Sequence, residues 1–119
     1  MNNSMHPKRT RKKYYCVYCG KEVGRGGKYC SSLCKQNYEQ DIYIQKWKNG
    51  EVSGLSGEYN ISKRIRRYLM EKYDYKCCQC GWGERNPYTN LIPLEVDHID
   101  GDHTNNLEDN LRLLCPNCH

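Results

Sequence analysis

The sequence predicts a small α+β protein built as two units, each held by a cluster of thiols rather than by a large apolar core. Three observations lead there. The 119-residue chain is polar for its length, with 37% hydrophobic residues and a mean hydropathy of −1.01. Small domains bury only a modest fraction of their surface, so such a chain needs a further source of stability. Nine residues are Cys, and they fall into four close pairs. The stretches between the pairs alternate short strand-like runs with two helical ones.

The pairing of the cysteines decides what they do. Cys16-x-x-Cys19 is followed by Cys30-x-x-x-Cys34, and Cys77-x-x-Cys80 by Cys115-x-x-Cys118; Cys78 is left over. An odd count argues against a closed disulfide set, and no βαβ pattern surrounds the pairs as a redox motif would require. Zn²⁺ takes four soft ligands in a tetrahedron, and a C-x-x-C turn presents two thiolates at one corner. Two structural zinc ions are therefore expected. Gly20 and Gly81, each directly after a C-x-x-C pair, supply the positive φ that such a turn needs, and Pro116 pre-sets the last turn.

Charge and hydropathy exclude other classes. No run approaches the ~20 apolar residues of a membrane span. Met1 to Lys13 is basic, but no apolar stretch follows it, so an export signal is not expected and a reducing, cytoplasmic setting is. The chain carries 19 Lys and Arg against 14 Asp and Glu, a formal +5. A Zn²⁺ with four thiolates carries −2, so two such centres reduce +5 to +1. Residues 1–60 hold 11 basic and 5 acidic side chains, and residues 61–119 hold 8 and 9, so the basic excess is local.

The elements follow in order. Residues 1–13 read as a basic arm, with Lys12 and Lys13 at its end as candidate phosphate contacts. Residues 14–48 read as an N-terminal treble-clef or ribbon-like finger. Its helix is capped by Ser31 or Ser32 and continues through Trp47. Residues 49–60, rich in Gly, Ser and Asn, read as a linker. Residues 61–73 carry Ile61, Ile65, Tyr68, Leu69 and Tyr73 on one helical face. Arg64, Arg66 and Arg67 lie mostly off that stripe and are candidates to hold phosphates through their planar donor forks. Residues 77–119 read as a hairpin supported by the second thiol set. One strand ends at Ile99, a polar loop covers 100–110, and Leu111 to Leu114 form the second strand. The loop lacks the spacing of a calcium-binding EF-hand. His103 in that loop is expected to face solvent, and Glu95 and Asp102 receive no role.

One segment carries chemistry. Glu95-Val96-Asp97-His98-Ile99-Asp100-Gly101-Asp102, then Glu108-Asp109-Asn110-Leu111, then Cys115-Pro116-Asn117-Cys118-His119 together resemble the HNH endonuclease family, over about Lys76 to His119. The resemblance implies a ββα-metal unit in residues 61–119, in which a hairpin and a following helix hold one divalent ion beside a Cys₄ zinc. It implies His98 as general base, Asp97 and His119 as ligands of a catalytic Mg²⁺ or Mn²⁺, and Asn110 as the residue that ties the loop and holds His98. In the family the last His opens a helix. The sequence stops at His119, so the unit is expected to lack most of that helix.

Elementary chemistry suits these roles. Phosphodiester hydrolysis needs an activated water and a cation to neutralise developing charge. An imidazole of ordinary pKa accepts a proton near neutrality. The stretches Cys80-Gly81-Trp82-Gly83-Glu84-Arg85-Asn86-Pro87 and Trp47-Lys48-Asn49-Gly50 are similar to those of bacteriophage and homing-type members, which implies a nicking or homing-like enzyme on double-stranded DNA. The competing readings are a non-catalytic zinc-binding nucleic-acid module derived from such a nuclease, and a structural protein whose fingers contact other proteins. Nothing in the sequence sets the oligomeric state.

Overall fold

The computed structural model describes residues 12–119, so most of the basic arm lies outside the described residues. The chain divides into two compact units, Met1–Asp41 and Ile42–His119, and the division falls within a helix. No helix among the described residues is long and apolar enough to cross a membrane.

In the first unit β1 (Tyr14–Tyr15) pairs antiparallel with β2 (Glu22–Val23). Between them lies a tight knuckle. The Gly20 N–H donates to Cys16 O at 2.9 Å, and the Cys16 N–H to Lys21 O at 2.8 Å. Gly20 has φ +81 there, a conformation that L side chains rarely adopt. The helix α1 (Ser32–Lys48) follows. Ser31 caps it, because its hydroxyl accepts the Cys34 N–H at 3.2 Å.

In the second unit β3 (Leu55–Ser56) pairs with β4 (Asn60–Ile61). These strands lie in the stretch read as a linker. Gly54 explains why that stretch is folded. It has φ +82, and a Cβ there would sit 2.7 Å from Ile65 Cδ1 and 3.2 Å from Asn106 Cβ. Gly54 serves a close approach rather than flexibility. Helix α2 (Lys63–Lys72) is capped by Ser62, whose side chain accepts the Arg64 N–H. It starts two residues later than the periodicity suggests because Ile61 belongs to β4.

Strand β5 (Glu95–His98) pairs antiparallel with β6 (Leu111–Leu114), with Asp97 opposite Arg112 and His98 opposite Leu111. A 3-10 turn (Glu108–Asn110) leads into β6. The second knuckle repeats the first: the Gly81 N–H donates to Cys77 O at 2.9 Å, and the Cys77 N–H to Trp82 O at 2.7 Å.

Two small apolar clusters lie in this unit. Ile44, Trp47, Ile65, Leu69 and Leu111 form one. Leu94, Leu113 and Leu114 form the other around the buried Cys77 and Cys115. The largest fully buried side chains are Ile65, Leu69, Leu94, Leu113 and Leu114. At ~1.5–3 kcal/mol each they contribute on the order of 10 kcal/mol. Ordering the backbone costs ~1–2 kcal/mol per residue, so apolar burial on this scale does not hold the fold alone. Trp47 also donates its Nε1–H to the Asn106 carbonyl at 2.7 Å in a buried position.

Gly54→Ala is expected to lower unfolding stability by about 2–4 kcal/mol, from the left-handed backbone and the overpacked Cβ. A urea titration reads this directly, and an unchanged midpoint would mean that residues 49–60 do not pack against Ile65.

Candidate functional site

The thiols gather as their spacing requires. In each set, Cys16, Cys19, Cys30 and Cys34 or Cys77, Cys80, Cys115 and Cys118, all four Sγ atoms lie within 4.8 Å of one another. Cys19 and Cys30 are 3.6 Å apart, Cys30 and Cys34 3.4 Å, and Cys80 and Cys115 3.6 Å. A tetrahedron with Zn–S bonds of ~2.3 Å has edges of about 3.8 Å, so the donor sets fit zinc.

The electrostatics agree. Burial pushes the Cys16 thiol up, but the backbone N–H groups of Cys19, Cys30 and Tyr18 outweigh it and bring it down to about 6. Cys77 behaves alike at about 6, where the N–H groups of Cys80, Cys115 and Gln79 overcome burial. The last thiols go the other way. Hydrogen bonding to Cys30, with burial, pushes Cys34 up to about 12. Hydrogen bonding to Cys115 and Cys80 does the same to Cys118, also about 12. Each cradle stabilises its first thiolate and resists its last, which is the demand a divalent cation meets.

Cys78 stands apart from both sets, and the parallel knuckles explain it. The Cys78 N–H donates to Leu113 O at 2.9 Å, as the Val17 N–H donates to Lys28 O at 3.0 Å. Both residues follow the first thiol of a set and tie the knuckle to the residue two positions before the third. The Cys78 side chain is exposed; its backbone is what the fold uses.

Above the second thiol set the β5–β6 hairpin carries the polar residues. Strand alternation puts Glu95 and Asp97 on one face and Val96 and His98 on the other. On the first face Arg112, across the ladder, donates its Nε–H to Asp97 Oδ2 at 2.7 Å. Asp97 raises the Arg112 pKa in turn. His119, placed by its N–H to Cys115 O at 3.0 Å, has Nε2 at 3.7 Å from Asp97 Oδ1 and Nδ1 at 3.2 Å from Glu95 Oε2. Neighbouring ligands of an ion with ~2.1 Å bonds lie about 3.0 Å apart and opposite ones about 4.2 Å. The Asp97–His119 span of 3.7 Å falls between the two. Among the described residues only the two thiol sets bring three or more such donors together.

On the other face His98 Nε2 lies 2.7 Å from Asn106 Oδ1. Asn110 does not fill that place. Its Oδ1 accepts the Asp100 N–H at 3.1 Å, and its Nδ2 donates to Asp100 Oδ1 at 2.8 Å and Asn105 O at 2.9 Å. Hydrogen bonds from Asn105, the Asp102 N–H and Asn110 hold the Asp100 carboxyl below the usual range. Asn110 thus ties the loop, and Asn106 touches the imidazole. Of the residues without an expected role, Asn106, Glu95 and Arg112 contact the candidate groups. Only the run of polar residues after Asp100 hinted at the first.

The candidate phosphate contacts are partly engaged. Arg66 Nη2 donates to Leu94 O at 2.7 Å, bracing the segment before β5, and Arg67 Nε pairs with Glu71 at 2.8 Å. Arg64 is half-buried. Lys12 lies over the Tyr14 ring, and Lys13 is 3.8 Å from Glu22. His103 is exposed, as expected, against the Tyr59 ring. Tyr68 and Lys72 hold Glu108 at 2.5 and 3.2 Å, fixing the far end of the loop on α2.

The chain is similar to the H-N-H endonuclease F-TflIV of Escherichia phage T5, 37% identical over 82 residues. It is also similar to the putative HNH nuclease YajD of Escherichia coli K12, 45% identical over 61 residues, and of Salmonella typhimurium, 43% identical over 61 residues. The first match covers 65% of this chain and 34% of the phage protein. The YajD matches cover 50% of this chain and 51% of those proteins. The chain therefore spans about a third to a half of the curated relatives it matches. No family model and no solved structure matches. These relatives support the HNH nuclease family for the chain, and its two thiol sets fit the zinc that the spacing predicts.

Metal analysis of the purified protein is expected to give two zinc ions per chain. Cys80→Ser is expected to reduce this to one and Cys78→Ser to leave it at two; a loss with Cys78→Ser would contradict the ligand assignment. Because zinc displaces thiol protons, affinity measured by chelator competition should fall as pH is lowered from neutrality.

Proposed function

We propose, from the HNH family that its relatives support, that this chain is a metal-dependent endonuclease unit hydrolysing phosphodiester bonds of double-stranded DNA. The observation that carries the reading is the end of β5. There Asp97 and His119 lie 3.7 Å apart on one face, with His98 in the adjacent position.

Asp97 Oδ1 and His119 Nε2 would hold a Mg²⁺ or Mn²⁺ ion. When bound, that ion would neutralise charge developing on the phosphate and leaving oxygen. Arg112 occupies Asp97 Oδ2 and keeps the carboxylate turned so that Oδ1 is the available donor. Glu95, accepting from His119 Nδ1–H, would fix the tautomer whose Nε2 lone pair faces Asp97. His98, half-buried at the last position of β5, would take the proton of the attacking water. Asn110 would hold the shape of the loop that follows. This reading makes residues 61–119 a ββα-metal unit and residues 14–48 a finger that positions DNA. Lys12, Lys13, Arg64, Arg66 and Arg67 would contact phosphates, Arg66 with the donors not spent on Leu94 O. Such contacts position the duplex without reading its sequence. One site per chain would nick rather than cut both strands. The phage and bacterial relatives support a phage-type enzyme acting in the host cytoplasm.

With zinc-loaded protein and Mg²⁺ or Mn²⁺, conversion of supercoiled plasmid to the open circle is expected. His98→Ala is expected to slow it by about 10²-fold or more while leaving DNA retention in a gel shift unchanged. Absence of cleavage by the parent protein across Mg²⁺, Mn²⁺ and Ni²⁺ would sink the catalytic reading.

A further inference from the structure

We propose that Asn106 is a positioning residue for His98: its side-chain oxygen holds the imidazole by Nε2–H and leaves Nδ1 as the nitrogen that takes a proton. This rests on the reading of His98 as the base. It goes further in naming the atom that acts and the residue that selects it.

The bond itself is short, 2.7 Å between His98 Nε2 and Asn106 Oδ1. An amide oxygen is an acceptor only, so the neutral ring carries its hydrogen on Nε2, and the lone pair is on Nδ1. The residue that bears the amide is held from several sides. Asn106 is 4% exposed. Its backbone carbonyl accepts the Trp47 Nε1–H at 2.7 Å in a buried position. Gly54 passes so close that a Cβ there would lie 3.2 Å from Asn106 Cβ. A side chain fixed in this way can fix the ring it touches.

The rest of the amide points to the same role. Among the described residues, the buried Asn106 Nδ2 has no hydrogen-bond partner. A buried unpaired donor is a standing cost to the fold, and a position serving packing alone is better filled by an apolar side chain. The oxygen on His98 is the one side-chain contact that repays the amide. Asn110 offers a contrast: both ends of its amide are used, within the loop, on Asp100 and Asn105. Two asparagines four residues apart therefore divide the work, one shaping the loop and one orienting the ring.

The test uses the full, zinc-loaded chain labelled with ¹⁵N. Long-range ¹H–¹⁵N spectra, taken where the imidazole is neutral, should show the His98 proton on Nε2. Asn106→Asp keeps an acceptor in place and should keep that tautomer. Asn106→Ala should give a mixture of tautomers and lower kcat for plasmid nicking by about tenfold or more, with KM nearly unchanged, as expected when orientation rather than binding is lost. A parent protein with the proton on Nδ1 overturns the proposal. So does an Asn106→Ala protein with two zinc ions and an unchanged His98 tautomer. Should Asn106→Ala not fold, the parent and Asn106→Asp spectra still decide. The predicted tautomer in a protein that cleaves no DNA upholds the positioning role while the nuclease reading falls. A cleaving protein with the other tautomer does the reverse.

Discussion

Four thiols held within 4.8 Å of one another cannot all become anions without a cation among them. Everything else in the protein is arranged around that constraint, met twice. In each set a knuckle of backbone N–H groups draws the first thiol down to about 6, and crowding pushes the last up to about 12. The backbone thus prepares a negative cradle that only a metal completes. Structural zinc in small fingers contributes on the order of 10 kcal/mol, comparable to all the fully buried aliphatic side chains together. A contribution of that size at each thiol set would let a chain with so little apolar core order over a hundred residues.

The second thiol set also aims the candidate chemistry. Cys77 and Cys115 are buried beside Leu113 and Leu114, and the Cys78 N–H bonds to Leu113 O. The second thiol set and the β5–β6 hairpin therefore pack as one piece. From it Asp97 and Glu95 project to one side, toward Arg112 and His119, while Val96 and His98 project to the other. His119 follows the last ligand directly, so folding of the knuckle brings it to within 3.7 Å of Asp97. On the opposite side Trp47 and Gly54 hold Asn106 against His98. The thiol set flanks the hairpin that carries the candidate residues, and the two-residue period of β5 separates Asp97 from His98.

Much of this was legible in the residues. The C-x-x-C spacings named both thiol sets, because ligand spacing in a short turn is a local property. Gly20 and Gly81 marked the knuckles because positive φ is also local. The stripe Ile65, Leu69 marked α2, and both side chains are fully buried. Three features were not legible. The Gly-rich run 49–60 read as a linker because composition does not distinguish a flexible glycine from one required by close approach, as at Gly54. The bond from Arg66 to Leu94 O was hidden because the carbonyl is 28 positions away. Asn106 received no role because its partners, Trp47 and His98, lie on α1 and β5, and no spacing rule connects them.

By itself, then, the sequence determined which thiols could ligate metal, where the two knuckles fall, and which polar pair, Asp97 and His98, is the candidate for the chemistry that the resemblance implies. These depend on short-range geometry and on side-chain type. Only the tertiary structure decided how those groups are held. Arg112 claims one oxygen of Asp97, Asn106 claims one nitrogen of His98, and Asn110 is confined to the loop. Hydrogen bonds between residues far apart in sequence are set by how strands and helices pack, and packing is a property of the whole chain rather than of any window along it.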